Sequence, residues 1–453
     1  MKIFIETLGC PKNFNDSEYA YGSFFSAGFK KADSISDADV VVVNTCGFIH
    51  DAKVESIDAI FDAAQKKKTS ALLVVSGCLS QRYMEELEKE MPEVDIFAGV
   101  NDYFSLPVIC KKRLEGDAPN DTVLIKSPQK DDFPEFRSRA FENVNNNSYT
   151  IKISEGCNNK CAFCIIPSIR GSFRSRSVKD IVEEAKFLVS LGAKEIILIG
   201  QDVTAFGTDR QNEDTLALLL REISKIEGEF WIRLMYCYDN KITDELITEI
   251  KRNKKVCKYI DMPIQHISDV VLSSMRRGSN STLIIERIRA LRSNIDDIHI
   301  RTTLITGFPG ESEADFDKLY EFVREQEFDR LGVFSYSEEE GTEAAKRKQI
   351  SDEIREQRRD SIMRLQAEIS KNKNKMMVGK TMKVLIDGVM EGEHSPAERM
   401  LIGRTEFDAP EIDNCVIFKP VTGGKDIGEF TFVHITGSSD YDVYGQEVQT
   451  PLN

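Results

Sequence analysis

The sequence predicts an α/β chain built as three successive blocks: a doubly wound parallel sheet, an open α/β barrel and a small antiparallel β-barrel. Three observations carry that reading. Apolar runs of strand length alternate with amphipathic helical stretches up to about residue 375, and such alternation builds parallel sheets covered by helices. A polar, Asn-rich segment, residues 131–147, interrupts the alternation and reads as a linker. Beyond residue 378 short strands follow one another with only Gly- and Pro-containing turns between them.

In the first block, residues 1–130, Lys2-Ile3-Phe4-Ile5 precedes a helix predicted around residues 16–27. Asp39-Val40-Val41-Val42-Val43 precedes a helix around 52–66, and Ala71-Leu72-Leu73-Val74-Val75 precedes one around 81–90. In the second block, residues 148–375, strands are predicted at 195–200, 230–234, 259–262, 298–305 and 332–336, with helices between them. This is a partial barrel, open where eight units would close. A charged helix from Ser351 to about Lys375 leads to the third block, residues 378–453, with strands at 383–386, 400–402, 416–418 and 430–433.

The length, 453 residues, fits roughly three domains. No apolar run approaches a membrane span, and Met1-Lys2-Ile3-Phe4-Ile5-Glu6 reads as a strand and not a signal peptide. The expected compartment is the cytoplasm, and no membrane partner is expected. There, ten cysteines point to metal ligands or buried thiols and not to disulfides. The net charge of −15 argues against an affinity resting on phosphate contacts.

The chemistry starts from Cys157-Asn158-Asn159-Lys160-Cys161-Ala162-Phe163-Cys164, a C-x3-C-x2-C loop. Three soft thiolates converging in one loop suit an iron–sulfur cluster. With four irons and three cysteines, one iron stays open to a substrate or cofactor. A chance trio or an incomplete zinc knuckle is the alternative, although the five histidines show no zinc spacing. A second set follows from the strand pattern. Cys10, Cys46 and Cys78 each come just after one of the first three predicted strands, beside Gly or Pro. Strands of a parallel sheet end on one edge, where ligand sites form. Three unrelated buried thiols are the other reading.

Barrel strand ends add polar groups. Gln201 and Asp202 follow the strand at 195–200, Asp261 and Gln265 follow another, and Gly307 lies in the turn Thr306-Gly307-Phe308-Pro309-Gly310. Arg233 is a candidate carboxylate ligand through its planar fork, or else a salt bridge inside the barrel. His266 reads as structural. Cys110, Cys237, Cys257 and Cys415 belong to neither set and read as structural thiols, with Cys237, just beyond Arg233, the first candidate for an exception.

The run from Lys152-Ile153-Ser154-Glu155-Gly156-Cys157 to Cys164-Ile165-Ile166-Pro167-Ser168-Ile169-Arg170-Gly171 resembles the methylthiotransferase branch of the radical S-adenosylmethionine (SAM) superfamily. Leu8-Gly9-Cys10-Pro11-Lys12-Asn13 and Asn44-Thr45-Cys46 resemble the N-terminal domain of the same branch, and residues 378–453 resemble a TRAM domain. The resemblance implies two 4Fe-4S clusters, one on Cys157, Cys161 and Cys164 that binds SAM at its open iron. The other, on Cys10, Cys46 and Cys78, is an auxiliary cluster that carries exogenous sulfur. It implies SAM contacts from Gln201, Asp202, Arg233 and the Gly307 turn, no catalytic residue beyond the clusters, and a low-potential electron donor. Cleavage of SAM to a 5′-deoxyadenosyl radical is the implied route to an unactivated C–H bond.

Methylthiotransferases modify either a transfer-RNA adenosine or an aspartate β-carbon in the twelfth protein of the small ribosomal subunit, met free or on the ribosome. The Leu8–Asn13 motif, the Arg233-Leu234-Met235-Tyr236 strand and an acidic third block favour the ribosomal branch. Residues 378–453 hold six Lys or Arg against thirteen Asp or Glu, a net of −7 that argues against transfer RNA and suits a basic protein. That charge has solubility as its plainer explanation, and Lys371, Lys373 and Lys375 form a small basic run beside it. A rival of another class is a non-catalytic iron–sulfur module on the ribosome, which would bind a cluster without cleaving SAM.

Overall fold

The structure, a computed structural model, describes residues 1–117, 122–125, 133–141, 147–210, 214–390, 399–421 and 423–449. It divides into two compact units. The first takes in Met1–Glu142, Glu155–Arg174 and Ser337–Ala345, and the second takes in Asn143–Ser154, Ser175–Tyr336 and Lys346–Asn453. The Cys157 loop, expected with the barrel, therefore groups with the N-terminal sheet.

The first unit contains strands β1 (Lys2–Thr7), β2 (Lys30–Lys31), β3 (Val40–Thr45), β4 (Leu72–Gly77), β5 (Ile96–Ala98) and β6 (Val123–Ile125). They form one parallel sheet in the order β2-β1-β3-β4-β5-β6. Alternate side chains leave opposite faces. Ile3, Ile5, Val40, Val42 and Val74 pack against α1 (Pro11–Ser26). Val41, Val43, Leu73 and Val75 pack against α2 (His50–Lys66) and α3 (Cys78–Glu90). A further helix, α4 (Leu106–Leu114), places Cys110 in the first of these cores. Strands β2, β5 and β6 are too short to stand out as apolar runs.

Part of the expected linker is not a free tether. Phe136 is buried, Arg139 pairs with Glu18 at 2.5 Å, and the Ala140 N–H donates to the Glu18 carbonyl, so this stretch lies along α1. Residues 131–132 and 142–146 of that segment lie outside the described residues.

The barrel strands of the second unit begin with β7 (Ser148–Lys152), and two short strands, β8 (Ser154–Glu155) and β9 (Arg174–Ser175), flank the Cys157 loop with α5 (Ile166–Arg170). The barrel continues through β10 (Glu195–Ile199), β11 (Trp231–Leu234), β12 (Tyr259–Asp261), β13 (His299–Thr306) and β14 (Arg330–Ser335). Two parallel three-stranded sheets, β7-β10-β11 and β12-β13-β14, meet through a bridge between Ile232 and Val256. The six strands make an open α/β arc, as the sequence predicts. Helix α6 (Val178–Ser190) buries Ile181, Ala185 and Leu188 and is capped by the Ser177 hydroxyl on the Asp180 N–H. Helices α7 (Leu216–Ser224), α8 (Asp244–Arg252), α9 (Asp269–Ser274), α10 (Ser281–Asn294) and α11 (Glu313–Gln326) complete the outer layer, and α12 (Asp352–Lys375) follows.

The last five strands, β15 (Thr381–Val389), β16 (Leu401–Arg404), β17 (Val416–Lys419), β18 (Phe430–Ser438) and β19 (Val443–Val448), close a barrel around Val384, Ile386, Phe418, Val433 and Ile435. The sequence reading misses β19, whose buried positions alternate with exposed polar ones. The barrel also departs from a purely antiparallel one, because β17 and β19 run parallel.

Buried charges join this barrel to the open arc within the second unit. Glu195 takes Arg233 at 2.7 Å and Arg404 at 2.8 Å, all three groups being buried. Asp413 accepts from the Tyr259 hydroxyl at 2.7 Å and pairs with Arg301 at 3.3 Å. Asp408 pairs with Arg330, and Asp387 pairs with Arg404. Glu447, 4% exposed, accepts from Thr431 and two backbone N–H groups. Asp408, Asp413 and Glu447 face inward and Asp387 is partly buried, so the net of −7 overstates the charge at the surface. Two lysines of the basic run are paired as well, Lys371 with Asp440 and Lys373 with Asp329.

Burial alone would raise the Glu195 carboxyl, but Arg404 and Arg233 outweigh it and hold it at about 2. A depressed folded value adds stability above the unfolded carboxylate range that is lost as pH falls through the folded one. Glu195→Gln leaves two buried guanidinium groups short of a charge partner. We expect it to cost about 3–5 kcal/mol in urea unfolding at pH 7. The gap from wild type should narrow as pH drops from about 4.5 towards 2.

Candidate functional site

Strands β1, β3 and β4 are neighbours, so their carboxyl ends share one edge. The strand order reverses at β1 and β3, the place where open α/β sheets form ligand sites. Cys10 is the N-cap of α1, Cys46 follows β3, and Cys78 opens α3. The structure thus gathers the three cysteines that the strand pattern singled out.

The loops touch. Gly9 has φ +88°, and a Cβ there would stand 2.8 Å from the Cys46 Cβ and 3.0 Å from its Sγ. Asn13, fully buried, fastens the edge: its Nδ2 donates to the Leu8 carbonyl at 2.9 Å and to the Thr45 carbonyl at 3.0 Å. Its Oδ1 lies 3.7 Å from the Cys78 Sγ. Ser56 holds both the N–H and the carbonyl of Cys46. One side chain thereby contacts the loops of all three cysteines.

The Cys157 loop is joined to this edge through Arg170, the last residue of α5 and 2% exposed. Its guanidinium donates to Asp16 at 2.6 Å, to the Asn13 Oδ1 at 2.8 Å and to the Cys78 Sγ at 3.4 Å, and lies 3.5 Å from Glu155. The loop is shaped by Cys157 N–H to the Gly171 carbonyl, 3.0 Å, and Cys164 N–H to the Cys161 carbonyl, 3.1 Å. Cys157, Cys161 and Cys164 all line one cavity of about 360 Å³, with Asn159, Lys160, Gly341 and Thr342 among its other walls. The segment Ser337–Ala345 closes that wall. Its Ala344 N–H donates to the Ala162 carbonyl, and its Glu339 pairs with Lys53 at 2.9 Å and Arg82 at 2.8 Å.

The thiols of the sheet edge differ in character. Burial pushes Cys46 up to about 11, with Cys78 and Cys10 nearby adding to the rise. Burial also raises Cys78, against the pull of Arg170. At Cys10 burial acts the same way, yet Lys12, Arg170 and the backbone N–H groups of Asn13 and Lys12 outweigh it and lower the thiol.

Both sets fit an iron–sulfur cluster. Each offers three thiol sulfurs from Gly- or Pro-bearing loops, one set on a cavity and the other beside a buried cation. Among the described residues no three His, Cys, Asp or Glu side chains could share a single metal ion. A cluster asks less, because each thiolate binds its own iron.

The strand-end groups of the second unit tell a different story. Asp202 caps the turn Val203–Ala205, accepts from Thr204 at 2.9 Å and the Ala205 N–H at 3.1 Å, and pairs with Lys241. Gln201 beside it is half-buried. Gly307 has φ +69°, and a Cβ there would meet Arg355 of α12 at 2.1 Å. Its glycine therefore admits the chain's own helix. Asp261 accepts from the Tyr236 N–H and Arg301, each at 2.9 Å. His266 accepts from the Ser268 N–H and lies 3.5 Å from Glu311, a structural place.

Arg233 is a correction to the sequence reading. Its guanidinium is fully buried, donates to Glu195, and reaches the Glu406 carbonyl at 2.9 Å over the ring of Tyr259. The fork expected for a SAM carboxylate is the barrel salt bridge instead. Cys110, Cys237 and Cys257 are buried at 1% exposure or less, and Cys415 donates to Asp442, in keeping with structural thiols. Sequence reasoning missed Asn13, Asp16 and Arg170 as parts of the site. They stand inside its motifs, but nothing in one sequence shows that they meet.

A parallel sheet, an open α/β arc with a C-x3-C-x2-C loop after its first strand, and a terminal closed β-barrel define a radical SAM enzyme with two accessory domains. Three family models match in that order: Uncharacterized protein family UPF0004 over residues 2–99, the Radical SAM superfamily over 151–323 and the TRAM domain over 378–448. The chain belongs to the RimO family of radical SAM methylthiotransferases. It is 43% identical over 450 residues to "Ribosomal protein uS12 methylthiotransferase RimO" of Clostridioides difficile, covering 98% of both chains. It is 44% identical over 453 residues to the same-named protein of Acetivibrio thermocellus, covering 99% of this chain and 98% of that one. Among solved structures, the radical SAM methyltransferase TsrM of Kitasatospora setae matches in fold, with a TM-score of 0.53 and 15% identity over 74% of each chain. The radical SAM domain implies a 4Fe-4S cluster and SAM. No helix among the described residues is long and apolar enough to cross a membrane.

Gly9 supplies a direct check on the packed edge. Gly9→Ala should lower stability by about 1–3 kcal/mol in thermal or urea unfolding, since both its φ and its contact with Cys46 resist a methyl group. An unchanged stability would mean that the Cys10 and Cys46 loops can part freely.

Proposed function

We propose that this chain adds a methylthio group to the β-carbon of an aspartate in ribosomal protein uS12. The observation that carries the reading is the pairing of two three-cysteine sets within one compact unit, tied by Arg170 to Asn13 and Cys78. Near full-length likeness to proteins named uS12 methylthiotransferases supports the substrate.

Cys157, Cys161 and Cys164 hold the cluster that binds SAM, and Cys10, Cys46 and Cys78 hold an auxiliary 4Fe-4S cluster bearing exogenous sulfur. When bound, these groups supply a radical able to abstract an unactivated hydrogen and a sulfur able to take and pass on a methyl group. The chain's own side chains hold and orient. Gln201, Asp202 and the Gly307 turn stay in the proposal as SAM-side groups, with Asp202 fixing the loop through Lys241 and the Ala205 N–H. Arg233 does not. A low-potential donor delivers the electron, and a uS12 substrate, free or on the ribosome, places the reaction in the cytoplasm. The inward-facing carboxylates of residues 378–453 weaken the charge argument against transfer RNA without removing it, and near full-length likeness to the uS12 methylthiotransferases carries the substrate.

The test is mass spectrometry of products after anaerobic reconstitution with iron, sulfide, SAM and reductant, offering uS12 or transfer RNA. A methylthio addition on the uS12 aspartate is expected; addition on transfer RNA overturns the substrate. Cys161→Ala should abolish 5′-deoxyadenosine formation. Cys46→Ala should keep that cleavage but lose the methylthio product. A Cys46→Ala enzyme that still makes the product would remove the second cluster from the mechanism.

A further inference from the structure

We propose that Arg170 is a positioning residue for the auxiliary cluster, holding it by a hydrogen bond to the Cys78 thiolate and tuning its charge. The inference rests on the reading of Cys10, Cys46 and Cys78 as cluster ligands. Arg170 lies on the helix that leaves the other cysteine loop, so no motif for the auxiliary site contains it.

The geometry is specific. A guanidinium 2% exposed is costly to bury unless its donors and charge are met. Two carboxylates meet the charge here, Asp16 at 2.6 Å and Glu155 at 3.5 Å. A single carboxylate would neutralise it, and the second donor nitrogen is turned to the Asn13 Oδ1 and the Cys78 Sγ. Hydrogen bonds to ligating sulfur and the local net charge set the potential of an iron–sulfur cluster. Adding an electron to a cluster is easier beside a cation and a donor. Without Arg170 the cluster would lose that cation while Asp16 and Glu155, both buried, stayed nearby. Lysine at this place would keep the charge but could not reach Asp16 and Cys78 at once, because it lacks the planar fork.

The experiment uses the full chain with Cys157, Cys161 and Cys164 changed to Ala, so that only the auxiliary cluster forms, reconstituted anaerobically with iron and sulfide. Iron content, circular dichroism and an EPR-monitored reductive titration are compared for this parent and for added Arg170→Gln or Arg170→Lys. In Arg170→Gln the ratio of reduced to oxidised cluster at a fixed potential should fall by about tenfold, 59 mV for one electron. Arg170→Lys should lie between Gln and the parent. Loss of iron from Arg170→Gln with an unchanged fold also supports the role, because the guanidinium is then needed to seat the cluster. Full iron content with the parent's potential in both variants overturns it, and so does that result in Arg170→Lys alone if Arg170→Gln fails to fold. A parent that binds no iron overturns the reading of the three cysteines themselves, an outcome distinct from failure of the Arg170 role.

Discussion

The contact between the Asn13 Oδ1 and the Arg170 guanidinium, 2.8 Å and buried, is the point on which the first unit depends. Asn13 reaches the Leu8 and Thr45 carbonyls with its amide and so pins the ends of β1 and β3. Arg170 brings the helix after Cys164 to the same place. Two cysteine sets far apart in sequence are thereby fixed by one small polar cluster. Such a cluster is stable only when each member is satisfied, since a buried polar group without its partner costs about 1–3 kcal/mol. That cost makes the arrangement rigid, and rigidity is what cluster ligands need.

The second unit solves a different problem by the same means. Its open arc of six strands leaves apolar and charged inner side chains that a closed barrel would cover. The loop after β16 brings Asp408 and Asp413 to Arg330 and Arg301, while Arg233 and Arg404 converge on Glu195. Leu385 and Ala409 join Ile197, Trp231 and Tyr259 in one apolar cluster. The terminal barrel is therefore part of the arc's core as well as a domain of its own.

Much of this was legible in the sequence. The apolar runs at Val40–Val43 and Leu72–Val75 place their strands because a strand buried on both faces has no polar alternation. A cysteine after each strand is then brought to one sheet edge by topology alone. Residues whose roles depend on tertiary partners were not legible. Arg233 fits a cofactor fork or a salt bridge equally well until Glu195 is seen beside it. The acidic count of the third block could not say which carboxylates face inward, and Glu447 and Asp408 do. Phe136 anchors what composition marks as a linker, because one buried aromatic outweighs several polar neighbours.

Under the proposed function one thiol set serves radical generation and the other sulfur delivery. The most direct measurement is the iron and acid-labile sulfide content of the anaerobically reconstituted wild-type chain, with Mössbauer spectroscopy to identify the clusters. The account predicts about eight irons per chain, all in 4Fe-4S form. About four irons would leave Cys10, Cys46 and Cys78 as ordinary buried thiols and contradict the account at its centre.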